Sequence, residues 1–166
     1  YYPITSAKNS KYVNKILVST DSKKIAKIAN KYGAETPFLR PKVLSTNQSP
    51  VIDTILYTLA RLEKNYSYKP DYVIIIQPTS PLITSDLIDK AIKKAEQQKA
   101  DSVVGLTPLD TTTHPFNIRK IYNKKIVRFW KDKEHYNYVN RSKPNFFQSG
   151  GIYLSTRKNL IKTGVY

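Results

Sequence analysis

Gln77, Thr79 and Ser80 break an otherwise apolar run. They sit in the stretch Asp71 to Leu82, DYVIIIQPTSPL, with Pro78 and Pro81 bracketing the two hydroxyls. The Gln77 side chain both donates and accepts, which suits reading the edge of a polyol or a base. The two prolines reduce the entropy lost when such a loop is ordered. The alternative is that Gln77 only satisfies backbone groups where a strand ends.

Other kinds of chemistry find less support. His114 and His135 have no cysteine or acidic partner at metal-ligand spacing, so a zinc site is not expected, and His114 before Pro115 reads as structural rather than as a general base. Asp86 and Asp89 fall on the first turns of a helix, where acidic side chains favour the positive end of the dipole. The separations specify no Ser-His-Asp arrangement. Neither G-x-G-x-x-G nor G-x-x-x-x-G-K-[ST] occurs.

These residues need a scaffold. Tyr72 to Ile76 is a β-branched and aromatic run of the kind a central strand buried on both faces requires. Lys15 to Thr20 reads as a strand, followed by a cap at Asp21 or Ser22 and a helix with Ile25, Ile28, Ala29 and Tyr32 inward, ending at Gly33. Ser49-Pro50 reads as a cap and first helical position for a helix carrying Ile52, Ile55, Leu56, Leu59 and Leu62. A further helix buries Leu87, Ile88, Ala91, Ile92 and Ala95, and Asp101 to Leu106 is a strand. Alternation of this kind predicts an α/β fold with a mainly parallel sheet and helices on both faces. Ligands of such sheets bind beyond the carboxyl ends of the strands, where Gln77 lies.

Past Thr107 the pattern changes. Ile118 to Tyr122 and Ile126 to Trp130 predict a hairpin, residues 131–149 have no clear period, and Gly150 to Ser155 returns as a strand before a helix from Arg157 that runs into the chain end. We expect a single domain over residues 1–166, with residues 114–149 as a small β arm. Its aromatic residues, Phe129, Trp130, Tyr136, Tyr138, Phe146 and Phe147, predict packing on a second subunit.

The formal net charge is +16, and residues 114–166 hold 12 Lys and Arg against 2 Asp and Glu. That excess points to an anionic partner, or to a lysine-rich solvated surface. There is no cysteine and no apolar stretch of membrane-spanning length, which fits a cytoplasmic protein without a membrane partner.

Three segments in order, VSTD at Val18 to Asp21, FLRP at Phe38 to Pro41 and QPTSPL at Gln77 to Leu82, resemble the acylneuraminate cytidylyltransferases, or CMP-sialate synthetases. The likeness continues through KYGAE at Lys31 to Glu35, ADSVV at Ala100 to Val104, His114-Pro115 and GGIY at Gly150 to Tyr153. The resemblance implies a Rossmann-like nucleotidyltransferase fold and transfer of CMP from CTP to a nine-carbon 2-keto sugar acid, with release of pyrophosphate and help from Mg²⁺. The acid would be sialic acid or a legionaminic or pseudaminic analogue. It further implies that Arg40 and Ser49 bind the nucleotide, that Gln77 binds the sugar acid, and that Arg141 on the dimerisation arm of a homodimer is catalytic. Two anionic substrates would account for the positive charge without nucleic acid.

The departures are specific. Ile83 stands where the family usually has Arg, Val51 where a second serine is common, and Asn47 where an Asp is common. The family's upstream triphosphate loop and its downstream Asp-x-Asp metal segment have no counterpart in this stretch, so it is expected to be part of a longer enzyme and inactive alone, with no metal ligand of its own. The competing readings are a nucleotidyltransferase for another sugar, and a basic nucleic-acid-binding module whose 13 tyrosines stack on bases. Against the latter, the charges are spread over helix faces and no RNP-like or helix-turn-helix signature occurs.

Overall fold

The computed structural model of the protein describes residues 1–109, 118–129 and 147–166. In chain order the elements are α1 (Tyr2–Lys8), α2 (Lys23–Lys31), α3 (Val51–Tyr66), β1 (Tyr72–Ile76), α4 (Ser85–Gln98), β2 (Ser102–Pro108), β3 (Arg119–Tyr122), β4 (Lys125–Arg128), β5 (Phe147–Thr156) and α5 (Arg157–Thr163). They fall into a larger unit, residues 1–105 with 151–166, and a smaller one, residues 106–150.

The fold is α/β, and among the described residues its sheet shows an antiparallel pairing where parallel ones were expected. Strand order is β1-β5-β2, and β1 runs antiparallel to β5, with Tyr72 opposite Thr156 and Ile76 opposite Ile152. β1 is therefore an edge strand among the described residues rather than a central one. Each of its residues is half-buried, not enclosed on both faces. An apolar run reports that a strand meets hydrophobic neighbours, but it carries no information on which strand lies beside it or in which direction. The parallel contact described is an isolated bridge between Leu17 and Glu35, so Lys15 to Thr20 does not form a full strand.

One face of this sheet meets α4. Ile88, Ala91, Ile92 and Ala95 of that helix form a core with Ala7 of α1 and Ile152 and Leu154 of β5, against which Tyr72, Ile74, Ile76 and Ile83 pack. Ile88 and Leu154 are wholly buried, each contributing roughly 1.5–3 kcal/mol. Thr84 caps α4 by accepting from the Leu87 N–H, and Asp89 fixes the chain after α1 by accepting from the Ser10 hydroxyl and the Lys11 N–H.

Three other expectations need correction. In α2 the inward residues are Ala26 and Ala29, whereas Ile25 and Ile28 are about half exposed, at 51% and 48%. Ser49 does not cap α3: Pro50 occupies the cap position without a side-chain bond. α5 ends before the chain does, because Gly164 at φ +65 supplies the left-handed closing residue.

In the smaller unit β3 and β4 form the expected hairpin, with Ile121 opposite Ile126. Asn123 and Lys124 both have positive φ, 48° and 60°, the backbone of a two-residue I′ turn. The turn is one residue shorter than the sequence pattern suggested.

Candidate active site

Two of the motif segments lie side by side. The Glu35 N–H donates to the Ile16 carbonyl at 2.8 Å, the Val18 N–H to the Glu35 carbonyl at 2.9 Å, and the Arg40 N–H to the Thr20 carbonyl at 2.8 Å. VSTD thus anchors the backbone of FLRP. From the other side, α3 holds the segment through its aromatic residues. The Phe38 ring meets Tyr57 edge-on with centroids 5.8 Å apart, the Arg61 guanidinium lies 5.2 Å from the Phe38 ring centroid, and the Tyr66 hydroxyl donates to the Pro37 carbonyl.

Arg40 is half-buried at the start of a loop that turns through one 3₁₀ turn, Lys42–Leu44. Its Nε donates to the Ser45 hydroxyl at 3.0 Å, and Ser45 donates in turn to the Pro41 carbonyl at 3.0 Å. The two terminal guanidinium nitrogens of Arg40 make no hydrogen bond to any described residue. A fork held at Nε with both ends open is suited to a bidentate anion such as phosphate.

Ser49 lies at the other end of the same loop. Its hydroxyl donates to the Val43 carbonyl at 3.1 Å and accepts from the Thr46 N–H at 3.2 Å, while the Thr46 hydroxyl stands 2.7 Å away. A hydroxyl has one proton and two lone pairs, so with Thr46 donating the capacity of Ser49 is used within the loop. Ser45 and Thr46 were not singled out from sequence. The only available signal was the hydroxyl-rich composition of Ser45-Thr46-Asn47-Gln48-Ser49 after an arginine.

Gln77 stands exposed immediately beyond the carboxyl end of β1. Its carbonyl accepts from the Ser80 N–H at 3.0 Å, closing a turn, and the Thr79 hydroxyl donates to Gln77 Oε1 at 3.4 Å. The far end of this loop is pinned where the Ser6 hydroxyl donates to the Ile83 carbonyl at 2.6 Å. The structure brings Arg40 and Ser49 together on one loop and sets Gln77 on another, with no hydrogen bond between the two loops among the described residues. Arg141, His114, His135 and most of residues 114–149 lie outside the described residues.

Among the described residues no group of three or more His, Cys, Asp or Glu is gathered in a way that could hold a metal ion. A cleft of about 380 Å³ lies at the opposite end of β1 from Gln77, lined by Lys69, Asp71, Tyr72, Arg157 and Lys158. Glu63 pairs with Lys69 at 3.0 Å and with Arg157, so two of these cations share one carboxylate. The Lys69 hydrogen bond, opposed by desolvation and reinforced by Arg157, holds the Glu63 carboxyl below its ordinary range.

Comparison with known proteins gives this geometry a family. The family model described as Cytidylyltransferase matches residues 1–163. The CMP-N,N'-diacetyllegionaminic acid synthase of Legionella pneumophila is 33% identical over 164 residues, covering 97% of this chain and 68% of that protein. The pseudaminic acid cytidylyltransferase of Campylobacter jejuni is 26% identical, covering 95% of this chain and 66% of that protein. A CMP:2-keto-3-deoxy-manno-octonic acid synthetase solved with CTP shares the fold, with a TM-score of 0.68 at 13% identity over 98% of this chain and 65% of that one. The chain spans about two thirds of the length of each of these relatives. With a family match running through VSTD, FLRP and QPTSPL alike, the chain belongs to the cytidylyltransferases, a family of nucleotidyltransferase enzymes.

Proposed function

We propose that the protein containing this chain transfers CMP from CTP to a nine-carbon 2-keto sugar acid and releases pyrophosphate. The observation that carries this reading is similarity, over nearly all of this chain and about two thirds of each relative, to a CMP-N,N'-diacetyllegionaminic acid synthase and a pseudaminic acid cytidylyltransferase. The sugar's anomeric hydroxyl oxygen attacks the α-phosphorus of CTP, its proton passes to solvent, and the bond from the α-phosphorus to the bridging oxygen breaks with its electron pair leaving on pyrophosphate. Arg40 presents its open fork to the nucleotide, and Ser49 serves the same subsite by closing the loop that carries Arg40. Gln77, whose Oε1 is engaged by Thr79, offers its amide N–H groups to the sugar acid.

Arg141 is proposed to act on the same reaction from the arm. Magnesium would neutralise charge on the departing pyrophosphate, and the described residues supply no ligand set for it. The mainly parallel Rossmann-like sheet belongs to this proposal for the whole enzyme, as do a homodimer formed through residues 114–149 and a cytoplasmic location.

The test is pyrophosphate release by the full-length protein with Mg²⁺ and each nucleoside triphosphate in turn. Release that requires both CTP and a nonulosonic acid supports the reading. Release with an unrelated sugar phosphate in place of the acid would replace it with another nucleotidyltransferase.

A further inference from the structure

We infer that Ser45 is a positioning residue for nucleotide binding, acting through Arg40 without touching the nucleotide. The inference rests on the nucleotide role proposed for Arg40. An arginine side chain has four rotatable torsions, and an exposed one samples many rotamers, so directing its fork costs entropy on binding. Ser45 removes much of that freedom beforehand. Its oxygen accepts from Arg40 Nε at 3.0 Å, which leaves both terminal nitrogens unengaged.

The serine is itself held. Its proton goes to the Pro41 carbonyl at 3.0 Å, so the lone pairs turn toward Arg40 and the hydroxyl cannot rotate away without breaking that bond. The backbone at both ends of this linkage is also fixed. Arg40 N–H is bound to Thr20, the Ser45 N–H donates to the Lys42 carbonyl at 2.9 Å, and Ser49 ties Val43 to Thr46. Preorganisation of this kind stabilises the bound state by lowering what must be ordered on binding. It predicts an effect on CTP and none on the sugar acid.

The experiment uses the full-length protein with Ser45→Ala and Ser45→Thr. Titration with CTP should show binding weakened about five- to tenfold in Ser45→Ala, the size of effect of one ordinary hydrogen bond, and largely restored in Ser45→Thr. In steady state the KM for CTP should rise while the KM for the sugar acid stays unchanged. The Nε–H signal of Arg40 in a ¹H–¹⁵N spectrum of the unliganded protein, assigned by its loss in Arg40→Lys, should shift and exchange faster in Ser45→Ala. An unchanged CTP affinity, or an Arg40 signal identical in Ser45→Ala, would overturn the inference. If the wild type binds no CTP, the functional proposal fails first, and an altered Arg40 signal would then show a positioning contact with no nucleotide to serve.

Discussion

Ile83 and Gly151 are fitted to one another: a Cβ placed on Gly151 would stand 2.8 Å from Ile83 Cδ1, and Gly151 adopts φ +79. Gly151 directly precedes Ile152, the partner of Ile76, so this fit lies beside the end of β1 that carries Gln77. Both steric crowding and the left-handed backbone oppose any side chain there. Gly151→Ala should therefore lose roughly 1–3 kcal/mol of stability, or several degrees in Tm for a chain of this size. Shortening the neighbour with Ile83→Ala should recover only the steric part in the double variant. Thermal melts of the two single variants and the double variant separate these contributions, and simple additivity would show that the two residues do not press on one another.

Gln77→Ala should leave the fold intact, because the side chain is exposed and outside the core. The loss should fall on the sugar acid, with a KM increase equivalent to roughly 1–3 kcal/mol and CTP affinity nearly unchanged. Arg40→Ala should do the reverse. Steady-state kinetics in both substrates distinguish these outcomes. A sharply lowered Tm in Gln77→Ala with normal sugar-acid kinetics in the folded fraction would make Gln77 a strand-end cap.

Glu63 predicts a pH dependence. Its carboxyl is held below the ordinary value of 4.5 by Lys69, with Arg157 adding to the effect, so the folded form binds its proton less readily than the unfolded form. That contribution to stability is complete above the unfolded pKa and is lost as pH falls through the lowered folded value. In urea titrations the midpoint difference between wild type and Glu63→Gln should be constant near neutrality and shrink toward zero in acid. The site is open to solvent, so the effect should also weaken with salt. A difference that persists unchanged below the carboxylate range would remove Glu63 as its source.

The hairpin bears on assembly. Ile121 and Ile126 pair across β3 and β4 and are 80% and 77% exposed. The homodimer proposed above would bury this cross-strand pair of exposed isoleucines. Ile126→Glu should shift the full-length protein from dimer toward monomer in sedimentation while its far-UV spectrum stays the same. A wild type that sediments as a monomer at micromolar concentration would contradict the dimer.

Local chemistry was legible in the sequence, and neighbour relations were not. Ser22 caps α2, Gly33 follows it with φ +93, and the α4 face from Ile88 to Ala95 is buried, because caps, left-handed residues and helical spacing are written within a few positions. The place of β1 was not legible, because its partner β5 lies some eighty residues downstream and its direction depends on the path between. The same holds for Ser49. A serine before a proline and a helix fits a cap, and only the course of residues 41–48 turns its hydroxyl back to Val43. Arg40 was reached through motif resemblance, and Gln77 first through its place at a strand end. The contacts they make, with Ser45 and Thr79, were not legible until the loops were closed.

The most direct measurement is the fate of labelled oxygen. The full-length protein would be incubated with CTP, Mg²⁺ and a nonulosonic acid carrying ¹⁸O at the anomeric hydroxyl, and the product examined by mass spectrometry. Attack by the anomeric oxygen predicts a CMP-linked acid that keeps the ¹⁸O between sugar and phosphorus, with one unlabelled pyrophosphate released per product. No CMP-linked product with any such acid, together with tight and sequence-selective binding of oligonucleotides, would contradict it.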